Sequence, residues 1–328
     1  MFTFIDLFAG IGGFRIGLER LGGRCVFSSE IDKHAVATYK RNFGETPAGD
    51  ITKIPAEEVP NHDVLCGGFP CQPFSVSGKQ LGFEDARGTL YFEVMRLVSA
   101  KRPRAVFLEN VANYVRHRNG DTLRRTLSML ESEGYHTSHA VLNASDFGVP
   151  QARKRLYIVG VRDDVVSGEF RFPEPVRKQV SVRDLLLPKS KVQNSAIDRS
   201  DIEITKKSVE EDLQKRPNRP IQIGIINKGG QGERIYSPEG HGITLSAYGG
   251  GAASKTGAYL VDGVVRKLHP IECRRMMGFP ESFKVDPRKG QAYKQFGNAV
   301  VAPVIEAIGK NLLDAAKLKW VQATLDFD

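Results

Sequence analysis

Short apolar runs alternate with amphipathic stretches along the first half of the chain. Thr3–Leu7 has the pattern of a buried strand, and Gly12–Leu21 has helical spacing because its apolar residues fall on one face. The other predicted strands are Cys25–Phe27, Val64–Cys66, Ala105–Leu108, His136–Leu142 and Leu156–Val161, and the other predicted helices are Thr89–Ala100, Asp121–Glu133 and Val300–Trp320. Strands that alternate with helices predict an α/β fold with a doubly wound, mostly parallel sheet, in which ligands bind at the carboxyl ends of the strands.

The pattern changes after about residue 165. Residues 178–220 are polar and charged with scattered prolines, which is typical of a linker or a peripheral lobe. Residues 228–257 are rich in glycine and carry little strand or helix signal. Glycine permits loops that approach a partner closely, so this tract is a candidate binding surface.

The charge of the chain adds a class of partner to this picture. The chain has 328 residues, and 47 Lys and Arg against 38 Asp and Glu leave a net charge of +9. A positive excess suits a polyanion, either nucleic acid or an anionic membrane surface, although many basic proteins bind neither. No apolar run reaches the roughly 18 residues that a membrane-spanning helix needs, so we expect no membrane segment.

The N-terminus and the cysteines indicate a reducing compartment. The first residues lack the basic region of a secretory signal, and Asp6 interrupts their apolar run. Cys25, Cys66, Cys71 and Cys273 show neither a disulfide framework nor paired metal spacing. We therefore expect a cytoplasmic protein with free thiols and no metal site, in which one cysteine is available for catalysis.

A glycine-rich turn between the first strand and the first helix predicts a cofactor pocket. Gly10 and Gly12 let the backbone turn tightly and bring a ligand against the helix N-terminus. Glu30 follows at the end of the next predicted strand, where an acid can accept hydrogen bonds from ribose hydroxyls. Arg15 stands where a dinucleotide fingerprint has its third glycine, which favours a nucleoside without phosphates over NAD. Asp50 is a candidate partner for adenine or, equally, a turn residue.

Cys71 lies on a loop with glycines and prolines that runs from Gly67 to Ser75, directly after the predicted strand Val64–Cys66. A thiol is a strong nucleophile once it is deprotonated, and a nearby positive charge promotes that. A small buried cysteine in a turn is the commoner alternative. The position of Cys71 alone therefore leaves both interpretations open.

Two further groups come at the same predicted edge of the sheet. Glu109 follows the strand Ala105–Leu108, where a carboxylic acid can donate a proton to a ring nitrogen or, alternatively, cap a helix. Arg153 and Arg155 alternate before Leu156–Val161, so their guanidinium groups can share one face and bind a carbonyl oxygen or a phosphate. The alternative for the two arginines is a solvated run of charge.

These pieces occur in an order that resembles the motifs of the DNA (cytosine-5) methyltransferase family, and the resemblance covers nearly the whole chain. The ordered set is far more specific than any single motif. Its members are Phe8-x-Gly10-x-Gly12, Glu30, Pro70-Cys71-Gln72, Glu109-Asn110-Val111, Gln151-x-Arg153-x-Arg155, Arg266-Lys267-Leu268-His269-Pro270-x-Glu272-Cys273 and Gln295-Phe296-Gly297-Asn298-Ala299-Val300.

The resemblance implies a mechanism. The target cytosine is flipped out of duplex DNA, since its C5 and C6 atoms are unreachable in the stack. Cys71 attacks C6, while Glu109 engages the N3 side of the ring and Arg155 the O2 side, with Arg153 nearby. C5 then takes the methyl group of S-adenosylmethionine, and loss of the C5 proton expels Cys71 and leaves 5-methylcytosine.

The resemblance also implies binding residues. The cofactor candidates are Phe8, Gly10, Gly12, Glu30, Asp50, Leu90 and Asn298, together with Ile31, which stands where a close relative has a large aromatic residue. The DNA candidates are Ser77 and Gln231, which match residues that fill the gap left by the flipped base, and Arg234, Ser246 and Tyr248 on the glycine-rich tract. That tract matches one GCGC-specific member more closely than the family in general, so we expect GCGC with the inner cytosine methylated.

The organisation of the family implies a large domain and a small one. The catalytic and cofactor-binding domain is expected in 1–183 and 298–328, and the target-recognition domain with its hinge in 184–297. We expect a monomer that modifies double-stranded DNA in a bacterial restriction-modification system, without a stable complex with the cognate endonuclease. A tRNA cytosine-5 methyltransferase and a non-enzymatic nucleic-acid-binding module remain alternatives, and Arg15 disfavours a nicotinamide dehydrogenase.

Overall fold

The computed structural model describes residues 1–69, 90–176, 180–192, 195–206, 208–215 and 219–322. The chain forms two compact units. The first unit takes its described residues from 1–142, 154–173 and 305–322, and the second from 143–153 and 174–304. The predicted functional division at residues 183 and 298 stays a prediction, because compactness does not assign a function to either unit.

A six-stranded sheet forms the centre of the first unit. Its strands are β1 (Thr3–Leu7), β2 (Arg24–Ser29), β3 (Val64–Gly68), β4 (Ala105–Val111), β5 (Tyr135–Asn143) and β7 (Lys154–Arg162), in the order β2-β1-β3-β4-β7-β5. Strand β1 pairs in parallel with β2 and β3, β3 pairs in parallel with β4, and β7 runs antiparallel to β4. The carboxyl ends of β1 to β4 therefore meet at one edge of the sheet.

The helices of the first unit follow these strands. They are α1 (Gly13–Glu19), α2 (Lys33–Phe43), α3 (Leu90–Lys101) and α4 (Asp121–Ser132), with short 3-10 helices at Ile51–Lys53, Ala56–Glu58 and Ala112–Gly120. Helix α2, which the sequence pattern missed, begins where the Asp32 side chain accepts hydrogen bonds from the backbone N–H groups of His34 and Ala35. The core between sheet and helices includes Leu65, Val94 and Leu108, which are fully buried.

The second unit contains a smaller sheet of five strands. Its strands are β8 (Ile202–Ile204), β9 (Gln222–Ile226), β10 (Arg234–Tyr236), β12 (Ala258–Val261) and β13 (Val264–Lys267), in the order β13-β12-β10-β9-β8. A separate parallel pair joins β6 (Gln151–Ala152) to β11 (Gly242–Ile243). The helices are α5 (Glu210–Lys215), α6 (Pro270–Met276) and α7 (Lys289–Asn298), with 3-10 helices at Ala144–Phe147, Arg183–Leu185 and Lys189–Lys191, and the division between the units falls within α8 (Ala302–Ala315).

The structure confirms the predicted α/β fold with a mostly parallel sheet. Several boundaries differ: the final helix is shorter than 300–320, and β4 extends through Glu109 to Val111. Residues 178–220 contribute β8 to the second sheet, so this stretch belongs to a lobe and is not only a linker. Within the described ranges, none of the helices combines the length and the apolar character that crossing a bilayer requires.

Candidate active site and recognition tract

The turn after β1 adopts a left-handed backbone at three positions. The φ angle is 56° at Phe8, 56° at Gly10 and 87° at Gly12. A left-handed conformation is costly for a bulky side chain such as that of Phe8, so the neighbouring structure must hold it there. The backbone N–H of Ala9 supplies one restraint, because it donates to the carbonyl of Ser29 at 2.9 Å.

The two glycines of this turn meet different constraints. A β-carbon at Gly12 would lie 2.4 Å from the Phe43 ring, so both conformation and space require glycine there. A β-carbon at Gly10 would meet no atom of the described residues within 4 Å, so only its conformation favours glycine. The space that the described residues leave beside Gly10 lets a ligand approach the backbone at the point where β1 turns into α1.

Glu30 is fixed beside this turn at the end of β2. Its two carboxylate oxygens accept hydrogen bonds from the backbone N–H groups of Gly10, at 2.8 Å, and Asp32, at 2.7 Å. Ile31 lies between Glu30 and Asp32 in the chain, and 73% of its surface is exposed. The structure therefore brings Phe8, Gly10, Glu30 and Ile31 together at the carboxyl edge of the sheet.

Asp50 and Leu90 complete the cofactor candidates of the first unit. The exposed Asp50 carboxylate caps the 3-10 helix at Ile51–Lys53 by accepting from the backbone N–H of Thr52 at 3.1 Å. The hydroxyl of Thr52 also donates to it at 2.8 Å, and these hydrogen bonds lower the Asp50 pKa below its usual value. The predicted turn role is thus observed, while the adenine contact stays a prediction. Leu90 is the first residue of α3.

Two buried charged groups beside the turn were not singled out as functional from the sequence. Asp6 on β1 is 1% exposed, and neither of its carboxylate oxygens forms a hydrogen bond with the described residues. Burial raises the pKa of Asp6 to about 8, although Arg15 opposes this shift. Arg15 pairs with Glu19 at 2.6 Å and stacks 4.4 Å from the centre of the Phe43 ring. The residue that replaces a dinucleotide glycine is therefore a packing element between α1 and α2.

Glu109 and Arg155 form an ion pair on adjacent strands. The Nε atom of Arg155 lies 3.0 Å from Oε1 of Glu109, and both side chains are largely buried. In the register of β3 and β4, Glu109 lies directly opposite Gly68. The pair thus stands at the carboxyl edge of the sheet, beside the strand that leads into the loop of Cys71.

Phe69, the last described residue before that loop, is held from several sides. The side-chain amide of Asn110 donates to its carbonyl at 3.0 Å. Its ring packs against the rings of Tyr91 and Tyr114, with centroids 5.4 and 5.7 Å away. Cys71 itself, like Ser77, lies outside the described residues.

The other three cysteines are described, and each is buried with a free thiol. Burial raises the pKa of Cys25 to about 12 and the pKa values of Cys66 and Cys273 well above the usual range. A buried thiol with a raised pKa is a poor nucleophile. Neither Cys25, Cys66 nor Cys273 is therefore suited to covalent catalysis.

Arg153 has different neighbours from Arg155. It lies between β6 and β7, belongs to the second unit and is 2% exposed. Its guanidinium group donates to the carbonyls of Leu245, Gly297 and Ala299 at 3.0, 3.0 and 2.8 Å. Arg153 thereby joins the glycine-rich tract to the end of α7, which the predicted alternation of the two arginines did not foresee.

The predicted DNA-contacting residues of the second unit lie on exposed loops or strand ends. Gln231, Arg234 and Tyr248 are exposed, and the Ser246 hydroxyl donates to the carbonyl of Tyr248 at 2.8 Å. A β-carbon at Gly232 would lie 1.9 Å from the carbonyl oxygen of Gly250, so the two loops touch through their backbones. Close backbone packing therefore sets how these side chains are presented.

The C-terminal motifs of the second unit combine one exposed residue with a buried ion pair. Asn298, the remaining cofactor candidate, is exposed at the last position of α7. Arg266 pairs with Glu272 at 2.8 Å, and both are almost fully buried. Glu272 also accepts from the backbone N–H groups of Leu187 and His269, at 2.8 and 2.7 Å. This motif therefore anchors the second unit from within.

A family model covers nearly the whole chain. The model for the C-5 cytosine-specific DNA methylases matches residues 2–314. The chain belongs to this family. Its activity is that of a DNA (cytosine-5) methyltransferase, and its methyl donor is S-adenosylmethionine.

Curated relatives show the same membership. The chain is 51% identical over 316 residues to the type II methyltransferase M.HhaI of Haemophilus parahaemolyticus, covering 96% of this chain and 95% of the relative. It is 41% identical over 324 residues to the type II methyltransferase M.HpaII of Haemophilus parainfluenzae, covering 95% and 89%. The DNA methyltransferase and its substrate class were thus predicted correctly from the sequence.

Solved structures support the fold of this methyltransferase. The Dnmt2 methyltransferase of S. pombe has a TM-score of 0.72 at 20% identity, covering 96% of this chain and 99% of that one. A putative DNA modification methyltransferase encoded within an E. coli prophage has a TM-score of 0.70 at 24% identity, covering 97% and 100%. The residues at the ends of β1 and β2 also fit S-adenosylmethionine, because they offer the Glu30 carboxylate and open space beside Gly10.

Proposed function

We propose that this methyltransferase flips its target cytosine out of the duplex and attacks C6 with Cys71. The observation that carries the proposal is the Glu109–Arg155 pair, which lies beside Gly68, three residues before Cys71 in the chain. A buried carboxyl and guanidinium 3.0 Å apart match the adjacent N3 and O2 atoms of cytosine. The high pKa of each described thiol also favours Cys71 as the nucleophile.

Cys71 would act on the cytosine by covalent addition and later elimination. The Cys71 thiolate forms a bond to C6 while a proton held by Glu109 moves to N3, and Arg155 donates hydrogen bonds to O2. The C5 atom, now electron-rich, takes a methyl group. Removal of the C5 proton by a base returns the electron pair to the C5–C6 bond and breaks the bond to Cys71. The products are 5-methylcytosine in DNA and S-adenosylhomocysteine.

We assign the cofactor to the carboxyl edge of β1 and β2. S-adenosylmethionine supplies an electrophilic methyl group when it is bound. Glu30 would accept hydrogen bonds from the ribose hydroxyls, and Phe8 and Ile31 would pack against adenine. Asp50 would accept from the adenine amino group, while Gly10 leaves room for the ligand and Leu90 lines the pocket. Asn298 is a further candidate from the C-terminal motif.

We infer GCGC as the target, with the inner cytosine methylated. The similarity to M.HhaI favours this site, and the glycine-rich tract presents Gln231, Arg234 and Tyr248 to solvent. The Arg234 guanidinium can pair with O6 and N7 of a guanine, and Ser246 can accompany it in the groove. Gln231 and Ser77 would fill the gap that the flipped base leaves.

We further infer the biological setting. The names of the type II relatives favour a modification enzyme of a bacterial restriction-modification system, in the cytosol or nucleoid. We expect a monomer that forms no stable complex with its endonuclease, because a single chain carries both the catalytic and the recognition residues. The catalytic domain would take 1–183 and 298–328, and the recognition domain 184–297.

Bisulfite sequencing of plasmid DNA after treatment with enzyme and S-adenosylmethionine tests this function. We expect 5-methylcytosine at the inner cytosine of GCGC, none with Cys71→Ala, and full methylation with the matched variant Cys25→Ala. Methylation concentrated in another motif would refute GCGC but keep the chemistry. Methylation of tRNA with none of DNA would replace the substrate assignment.

A further inference from the structure

Residues 112–125, which we call the basic turn, take no part in the reaction proposed above. They contain four arginines and one aspartate, which leaves +3 of the +9 net charge of the chain when histidine is counted as neutral. The four arginines, all exposed, are Arg116, Arg118, Arg124 and Arg125. Like charges gathered so closely on a surface repel one another unless a partner compensates them.

The basic turn contains one acidic residue, which neutralises only part of the positive charge of its four arginines. The Asp121 carboxylate lies 2.8 Å from Arg125 and 3.5 Å from Arg124, so a single acid is shared between two arginines. Arg116 and Arg118 form no ion pair with any residue in the described part of the chain. Two exposed guanidinium groups are therefore available to an external anion.

The backbone of the basic turn is strained at the point that presents these groups. Arg118, Asn119 and Gly120 follow one another with φ angles of 49°, 55° and 84°. Three consecutive left-handed residues, of which two are not glycine, cost conformational free energy. Such strain persists only where surrounding contacts fix it, and it is concentrated at functional sites.

Side-chain contacts fix this conformation from both sides. The Arg124 guanidinium donates to the carbonyl of Asn119 at 3.2 Å, and Nδ1 of His117 lies 2.6 Å from the Thr122 hydroxyl. Tyr114 anchors the start of the segment, because it is buried and its hydroxyl lies 2.8 Å from that of Thr126 in α4. The turn therefore presents its arginines from a rigid support.

The position of the basic turn relates it to the proposed active site. The turn follows Val111, the last residue of β4, which pairs in register with Arg155. Residues 112–120 also pack against β7, the strand that carries Arg155. Because β4 ends at the carboxyl edge, the turn lies on the same side of the sheet as the Glu109–Arg155 pair.

We propose that the basic turn binds phosphate groups of the DNA duplex that carries the target cytosine. This proposal rests on the proposed function, and it extends the DNA surface beyond the glycine-rich tract and the reacting base. Guanidinium groups match phosphate in charge and in the geometry of their paired N–H donors. The contact carries no sequence information and serves to position the duplex.

The salt dependence of DNA binding tests this surface. Each lost phosphate contact flattens the slope of log affinity against log salt by about one unit, so Arg116→Gln/Arg118→Gln should flatten it by about two units. The matched control is Arg24→Gln/Lys319→Gln, which removes the same charge from exposed residues: Arg24 begins β2, and the chain after α8 hydrogen-bonds at Leu21 near that amino edge. We expect the control to keep the wild-type slope, and Arg116→Lys/Arg118→Lys to keep most of it.

Duplexes with single uncharged methylphosphonates locate the contact. The wild-type enzyme should bind more weakly to duplexes in which particular phosphates are replaced. The Arg116→Gln/Arg118→Gln variant should not show these losses of affinity, whereas the Arg24→Gln/Lys319→Gln control should show them. Equal slopes for the glutamine variant and the control, with the wild-type enzyme methylating DNA, would overturn the basic-turn proposal alone. A wild-type enzyme that neither binds nor methylates DNA would instead overturn the proposed function.

Discussion

The turn after β1 and the tract of residues 228–257 are both rich in glycine, yet their glycines meet different constraints. In the turn, Gly10 and Gly12 adopt left-handed conformations, and Gly12 also avoids the Phe43 ring. In the tract, Gly232 lets one loop rest on the backbone of Gly250. Glycine is favoured in the turn by the left-handed backbone, whereas Gly232 in the tract is required by the close approach of a second loop. The first kind of constraint is visible in a sequence motif, and the second is not.

Removal of the Arg153 side chain should disturb the glycine-rich tract far more than the turn after β1. Arg153→Ala leaves the carbonyls of Leu245, Gly297 and Ala299 without a buried donor, at roughly 1–3 kcal/mol each, so we expect unfolding free energy to fall by about 3 kcal/mol or more. Urea denaturation measures this loss. Arg155→Ala is the matched control, since it removes a single ion pair from the first unit. A loss for Arg153→Ala no greater than the control's would contradict the role described here.

Gly232→Ala probes the contact between loops. Its new methyl group would meet a backbone oxygen, which cannot rotate away, so we expect a loss of about 1–3 kcal/mol in stability. Gly250→Ala is the control because its β-carbon meets no described atom within 4 Å. Thermal unfolding compares the two. Similar melting temperatures for both variants would mean that the loops do not touch as described.

The difference between the two regions also explains what the sequence could predict. The ends of β1, β2 and β4 follow from apolar runs, so the sequence alone predicts Glu30 and Glu109 at one edge of the sheet. The alternation of Arg153 and Arg155 suggested that the two side chains share one face, because it assumes one continuous strand. The strand is interrupted at Arg153, which lies between β6 and β7 and serves the second unit. Nor could the sequence show that Asp6 is buried without a partner among the described residues, since that depends on neighbouring strands.

Glu30 tests whether the turn in the first region binds the cofactor. Glu30→Ala removes a ribose acceptor, so we expect S-adenosylmethionine to bind about 1–3 kcal/mol more weakly. Isothermal calorimetry on the folded variant measures this change. Glu45→Gln is the control, because Glu45 also lies near α1 but pairs with Arg15. Unchanged cofactor affinity in Glu30→Ala would place the pocket elsewhere.

Asp6 predicts an effect on stability that depends on pH. Its folded-state pKa of about 8 lies above its usual value of 3.8, so between these values the folded protein holds a proton that the unfolded chain has lost. Stability should therefore fall as pH rises from about 4 to 8, by at most about 1.4 kcal/mol per pH unit, and the contribution should level off above that. Urea denaturation of wild type and Asp6→Asn across this range isolates it. Parallel pH profiles would show that Asp6 does not titrate as described.

Covalent trapping of DNA tests the central claim that Cys71 is the nucleophile of a cytosine-5 methyltransferase. A GCGC duplex with 5-fluorocytosine at the inner position has no C5 proton to lose, so the enzyme cannot be released after methyl transfer. We predict a denaturation-resistant enzyme–DNA adduct with wild type and with Cys25→Ala, dependent on S-adenosylmethionine, and none with Cys71→Ala. An adduct that forms equally well with Cys71→Ala would contradict the account.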